Sequence, residues 1–133
     1  MIVVDANILV YRMVVCQKTD EALRILEIDS DWKFPALWEY EFGNILAQMV
    51  NRNTMAPKDA AHILEMALDI FASGITKVDA FTALRLSVDH RLTFYDAQYL
   101  ALAKSLGVPL VTEDKGLRKA GSGIAVNMEE FLN

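Results

Sequence analysis

The first seven residues constrain the fold more than any other stretch. In Met1-Ile2-Val3-Val4-Asp5-Ala6-Asn7 a short, continuous aliphatic run stops at a carboxylate. A strand half open to water alternates apolar and polar side chains, whereas a continuous run suits a strand covered on both faces, as in a parallel sheet. Helices are therefore expected on both sides of it. In open parallel sheets ligands sit beyond the carboxyl ends of the strands, and Asp5 stands at that end of the first one. Asp5 or Asn7 is equally well placed to cap the helix that opens near Ile8.

The pattern recurs late in the chain. Val108-Pro109-Leu110-Val111-Thr112 reads as a second buried strand that runs into Glu113-Asp114-Lys115, with Thr112 in a role like that of Asn7. Asp114 also suits the start of a helix over Lys115 to Lys119. Between the two strands, Thr19 is positioned to cap a helix that carries Ala22, Ile25 and Ile28, and Trp32-Lys33-Phe34 predicts a short strand before Pro35. A long helix from Ala36 to Val50 puts Trp38, Phe42, Ile45 and Met49 on its core face. Glu41 lies at the margin of that face and continues into a polar seam with Asn44 and Gln48.

Pro57 opens the second arm of a helical hairpin whose apolar content exceeds the needs of one core face. That arm is the candidate association surface. Ile75 to Val78 is expected to add a strand, and Ala80 to Val88 a helix. A nearly all-apolar helix then runs from Leu92 to Gly107, with Asp96 on the same face as Tyr99, Leu100 and Ala103. An uncompensated carboxylate there is costly to desolvate. Thr93, three residues earlier, offers a structural reason for Asp96 by holding it at the first helical turn. Ile124 to Val126 completes a sheet of about five strands.

The 133 residues suit a single domain, 1–133. The hydrophobic fraction of 53% and mean hydropathy of +0.22 fit a sheet enclosed by helices with apolar surface left for association, so a dimer or partner complex is expected. No apolar run approaches the roughly 20 residues of a membrane span, and Asp5 comes too early for a signal peptide, which predicts a cytoplasmic protein. The lone Cys16 forms no internal disulfide, and His62 and His90 stand apart from any zinc-like spacing. A net charge of -5 from 18 acids and 13 bases argues at first against a nucleic-acid partner. If four acids share one metal site, 14 remain against 13, and bound cations invert the field that a phosphate meets.

Asp5, Glu41, Asp96 and Asp114 are those four. Two carboxylates ~6 Å apart at an effective dielectric of 20 repel by roughly 3 kcal/mol, so a cluster of four binds protons or cations. Oxygen donors without histidine or thiolate favour Mg²⁺ or Mn²⁺ over zinc.

At these residues the chain resembles the PIN-domain nucleases, and most closely the VapC-type toxins of toxin–antitoxin pairs. The resemblance rests on Val3-Val4-Asp5-Ala6-Asn7, on Pro35-Ala36-Leu37-Trp38-Glu39-Tyr40-Glu41-Phe42-Gly43-Asn44, on Tyr95-Asp96-Ala97 with Tyr99-Leu100-Ala101-Leu102-Ala103, and on Leu110-Val111-Thr112-Glu113-Asp114. Each segment alone is unspecific; the four in this order and spacing are not. The resemblance implies a three-layer α/β/α fold with a mostly parallel sheet, a homodimer, Mg²⁺- or Mn²⁺-dependent cleavage of RNA, and neutralisation by a small antitoxin.

On that reading Asp5, Asp96 and Asp114 hold a metal, Glu41 anchors a second or orients water, and Asn7, Asn44 and Thr112 support the acids by hydrogen bonding. Arg12, Lys115 and Arg118 are candidate phosphate contacts. The competing readings are a Mg²⁺-dependent phosphotransfer protein of receiver or dehalogenase type and a non-catalytic interaction domain. The dehalogenase pattern wants an aspartate where Asn7 stands, a receiver wants adjacent acids near the first strand, and an interaction domain is expected to have lost one of the four acids.

Overall fold

A computed structural model describes Met1–Asn133. Four short strands, β1 (Ile2–Val4), β2 (Trp32–Lys33), β3 (Leu110–Val111) and β4 (Ala125–Val126), form one parallel sheet in the order β2-β1-β3-β4. Eight helices surround it: α1 (Ala6–Met13), α2 (Thr19–Ile28), α3 (Trp38–Asn51), α4 (Pro57–Phe71), α5 (Ala80–His90), α6 (Phe94–Leu106), α7 (Lys115–Ala120) and α8 (Met128–Leu132). The result is the three-layer α/β/α arrangement. Every residue of β1 and β3 is buried, as their unbroken aliphatic runs require. None of the helices is long and apolar enough to cross a membrane.

The strand order fixes where a site can form. The chain passes from β1 to β2 on one side, then returns to place β3 on the other, so the topology reverses between β1 and β3. In such sheets the crevice for a ligand opens at that reversal, beyond the carboxyl ends of the two strands. Val3 pairs with Leu110 and Val4 with Val111, and the Asp5 amide donates to the Val111 carbonyl at 3.1 Å. Asp5 and Thr112 therefore leave the sheet side by side.

The fifth expected strand is reduced to one bridge, Phe34 to Ile75, with the Thr76 amide donating to the Phe34 carbonyl at 3.0 Å. The chain reaches this edge through a short 3-10 turn, Ala72–Gly74, that ends in close approach. A Cβ on Gly74 would stand 2.2 Å from the Trp32 carbonyl oxygen. After one bridge the chain turns away to open α5, whose first turn is capped by Asp79.

One continuous apolar core joins the sheet to the helices. Phe34 packs against Trp38 with ring centroids 5.1 Å apart, Trp38 meets Phe42 edge-on at 5.9 Å, and Trp32 stacks on Phe71 at 5.5 Å. These rings hold α3 and α4 against β2, which sets the height of Glu41 above the sheet. Trp38, Phe42 and Leu46 are buried on α3, with Ile45 and Met49 packed at the edge. Gly107 ends α6 at φ +67°, the left-handed position that favours glycine. Thr19 is the first residue of α2 and not its cap; its hydroxyl accepts instead from the Cys16 amide at 2.9 Å.

The α3–α4 hairpin packs as a pair, and on its outer side Met66 and Ile70 remain exposed. A more apolar uncovered stripe lies on α5, where Phe81, Leu84 and Val88 face solvent at three- and four-residue steps.

Candidate active site

Asp5 combines two roles that its sequence position left open. It ends β1 and caps α1, its Oδ1 accepting from the Ala6 amide at 2.7 Å, while Oδ2 accepts from the Thr112 hydroxyl at 2.8 Å. Only 6% of the residue is exposed. Burial is the main reason its carboxyl rises to about 6; the Thr112 and Ala6 hydrogen bonds oppose this, and the charges of Asp96 and Asp114 add to it. Thr112 is fully buried, and its oxygen also accepts from the Asp114 amide at 3.0 Å. One hydroxyl thus ties the ends of β1 and β3 together.

Asp114 caps α7 by accepting from the Leu117 amide through Oδ1 at 2.8 Å. Asp96 sits in the first turn of α6, where its amide donates to Thr93 Oγ1 at 3.0 Å. Partial burial raises the Asp96 carboxyl above the ordinary carboxylate range, and the Asp114 charge pushes the same way. Each of these acids stands at a helix start, where a cap fixes its backbone.

Glu41 comes from the side, on α3. It is half-buried, and its Oε1 accepts from the Tyr99 hydroxyl at 2.8 Å. Burial, followed by the charges of Asp5 and Asp96, lifts its carboxyl to about 7 against the opposing Tyr99 hydrogen bond. Tyr99 is fully buried on α6, and burial together with Glu41 keeps its phenol protonated well beyond the ordinary tyrosine range. Tyr99 was readable only as a core aromatic; the available signal was its position one turn after Asp96 on the same helix face.

Like-charge repulsion links Asp5 to Asp96 and Asp114, Glu41 to Asp5 and Asp96, and Asp96 to Asp114. No ion pair neutralises any of them: the chain's salt bridges join Met1 to Asp29, Lys18 to Glu113, Lys33 to Asp31 and Arg118 to Glu130. Glu41 Oε2 and Asp114 Oδ2 accept no hydrogen bond from the chain. No three of the acids close into a ready-made chelate. The donor set nonetheless fits a hard divalent cation, because Mg²⁺ keeps several waters and needs only one or two direct carboxylates.

The supporting residues divide. Thr112 bonds to Asp5. Asn7 is exposed and makes no hydrogen bond to it, and Asn44 is exposed one turn beyond Glu41. Arg12 lies at the far end of α1, about 10 Å along the axis from Asp5. Arg118 is engaged with Glu130 at 3.3 Å, and Lys115 is exposed beside Asp114. Glu113, adjacent to Asp114, points elsewhere, accepting from the Met128 amide at 3.0 Å and pairing with Lys18. Beside Glu41 a cleft of about 420 Å³ is lined by Leu37, Tyr40, Glu41, Asn44 and Tyr95.

Residues 2–122 match the family model described as PIN domain. The chain is 29% identical to Ribonuclease VapC3 of Pyrobaculum aerophilum over 87% of its own length and 91% of that protein. It is 33% identical to Exonuclease VapC9 of the same organism over 70% of its length and 68% of that relative. A crystal structure of a Pyrobaculum aerophilum protein superposes with a TM-score of 0.78 at 29% identity, covering 98% of this chain and 92% of the other.

Proposed function

The chain belongs to the PIN domain family, and on that premise we propose that it is a metal-dependent endoribonuclease of the VapC type, the toxin of a toxin–antitoxin pair, with Asp5, Glu41, Asp96 and Asp114 as its metal-holding and catalytic residues. The observation that carries this reading is the gathering of four carboxylates without a counter-charge at the point where the sheet topology reverses. Two relatives named for nuclease activity support the substrate class.

Asp5, Asp96 and Asp114 would hold Mg²⁺ or Mn²⁺ at the ends of β1 and β3. A divalent cation there supplies charge neutralisation at the phosphate and lowers the pKa of water. Thr112 keeps Asp5 in one rotamer by donating to Oδ2, and the Ala6 amide fixes the other oxygen. Tyr99 occupies Glu41 Oε1, which leaves Oε2 to orient the attacking water and take its proton. Lys115 is positioned for a phosphate beside Asp114, while Arg12 and Arg118 would meet phosphates only farther along the strand. Asn7 and Asn44, both exposed, would contact the substrate side of the site rather than the backs of the acids.

The partners in this reading are RNA, a small antitoxin and a second copy of the chain, with the cytoplasm as the place of action and residues 1–133 as one catalytic domain. An antitoxin arginine or lysine that pairs with the acids would displace the cations. A partner that abolishes cleavage while leaving Mn²⁺ affinity unchanged would refute that mode of inhibition.

The test is cleavage of a mixed panel of single-stranded RNAs by protein free of antitoxin, in Mg²⁺, Mn²⁺ or EDTA, beside Asp96→Asn. Internal cuts that require metal and vanish in the variant are expected. Equal cutting by wild type and variant would assign the activity to contamination, and stepwise loss from one end would make the enzyme an exonuclease.

A further inference from the structure

Resting on the nuclease reading, we propose that Tyr40 and Tyr95 form a stacking subsite for one unpaired base of the RNA, on the Glu41 side of the acid cluster.

The two rings are sequence neighbours of two of the acids: Tyr40 precedes Glu41 on α3, and Tyr95 precedes Asp96 at the start of α6. They are 74% and 62% exposed, yet both line the same cleft of about 420 Å³ with Leu37, Glu41 and Asn44. A single exposed aromatic calls for no explanation. Two that line one cleft, with a carboxylate of the site in its wall, are a different arrangement. Neither ring packs against another aromatic, and neither hydroxyl is hydrogen-bonded within the chain, in contrast to the buried Tyr99. The fold makes no structural use of them.

The lining selects the occupant. No lysine or arginine faces the cleft, so it is not built for a phosphate or for an acidic peptide. Its volume lies within the roughly 300–1,000 Å³ typical of small-ligand sites. Two tyrosine faces and the apolar Leu37 suit a flat aromatic ligand, and the Asn44 amide offers a donor and an acceptor to a polar edge. A nucleobase splayed from a single strand has that shape, and single-stranded RNA is held in this way on aromatic side chains. Continuity with Glu41 puts the stacked base next to the phosphate to be cut. An acidic site with few free cations nearby gains much of its grip on RNA from the base rather than from the backbone. Base choice at this position then follows stacking strength and the Asn44 contact.

The test uses the full chain carrying Asp96→Asn, so that RNA is bound and not cut. Fluorescence anisotropy compares a short labelled single-stranded RNA with an abasic ribose–phosphate strand of equal length and charge. We expect the RNA to bind more tightly, Tyr40→Ala and Tyr95→Ala each to weaken it about 5- to 100-fold toward the abasic value, and Tyr→Phe at either position to keep the preference. In the cleaving protein the alanine effect falls on KM rather than kcat. Because both rings are exposed, the thermal midpoint should not move.

Alanine variants that bind both strands as the parent does, in a protein whose wild type cleaves RNA, would overturn the subsite and leave the nuclease reading standing. No cleavage by wild type with Mg²⁺ or Mn²⁺ would overturn the nuclease reading, and the affinity comparison would still decide the cleft. Alanine variants that keep RNA affinity but lose a bound protein inhibitor would assign the cleft to that partner and overturn the proposal.

Discussion

Replacing Asp5 with asparagine should make the metal-free protein more stable at pH 8 while destroying its activity. Asparagine keeps the cap, since its oxygen can still accept from the Ala6 amide, and its amide can donate to Thr112 Oγ1. What it removes is a buried charge that lies beside two like charges. The Asp5 carboxyl rises to about 6 in the fold from an ordinary value of 3.8. A raised acid adds stability that is complete below its unfolded value and is lost as pH climbs through the folded one. Wild type without metal should therefore lose about 3 kcal/mol between pH 4 and pH 7 through this residue, at about 1.4 kcal/mol per pH unit of displacement. Asp5→Asn should lose none of it. For a chain of this size that difference is a melting temperature about 10 °C higher for the variant at pH 8. The assay is thermal unfolding followed by circular dichroism in EDTA from pH 3 to pH 8. The two curves should meet at the acidic end and separate as pH rises. An Asp5→Asn protein less stable than wild type by the same margin at every pH would refute the reasoning and leave Asp5 as a helix cap alone.

Saturating Mn²⁺ should reverse that order at pH 8, raising the unfolding free energy of wild type by about 4 kcal/mol at a roughly thousandfold excess over Kd and leaving Asp5→Asn and Asp96→Asn unmoved. The gain should fade toward pH 5, where protons occupy Asp5 and Glu41, and calorimetric titration at the two pH values measures it. Tyr99→Phe removes the donor to Glu41 Oε1 and should reduce RNA cleavage about 10- to 100-fold with the fold intact; unchanged turnover would mean that Glu41 needs no positioning. Gly74→Ala presses a methyl group onto the Trp32 carbonyl and should cost about 1–3 kcal/mol in urea unfolding with no change in catalysis per folded molecule.

Much of the site was legible because two of its acids stand where a buried run meets a helix. Ile2 to Asp5 and Leu110 to Asp114 carry the same local instruction, and each strand reads it independently of the rest of the chain. Asp96 was legible through Thr93, whose cap places it in the first turn. Glu41 showed only as a polar residue at the margin of a core face, and its link to Tyr99 spans 58 residues and depends on how α3 lies across α6. No local pattern encodes that crossing. That Tyr40 and Tyr95 line one cleft is hidden for the same reason: periodicity says that each faces outward, not that they share a wall. The apolar stripe of Phe81, Leu84 and Val88 does not stand out because a helix with one buried face looks complete in sequence. The Ile75 segment has the composition of a strand, and the turn at Gly74 leaves it room for a single bridge.

The hydrogen bond from Thr112 to Asp5 joins residues 107 positions apart, and this has a consequence in time. During synthesis β1 emerges first and can pair with β2, but its other neighbour does not exist until nearly the whole domain has been made. Of the four acids, a nascent chain displays two until α6 is complete and a full set only once Asp114 has left the ribosome tunnel. On the nuclease reading, the chain would thus lack its complete set of acids for most of its synthesis.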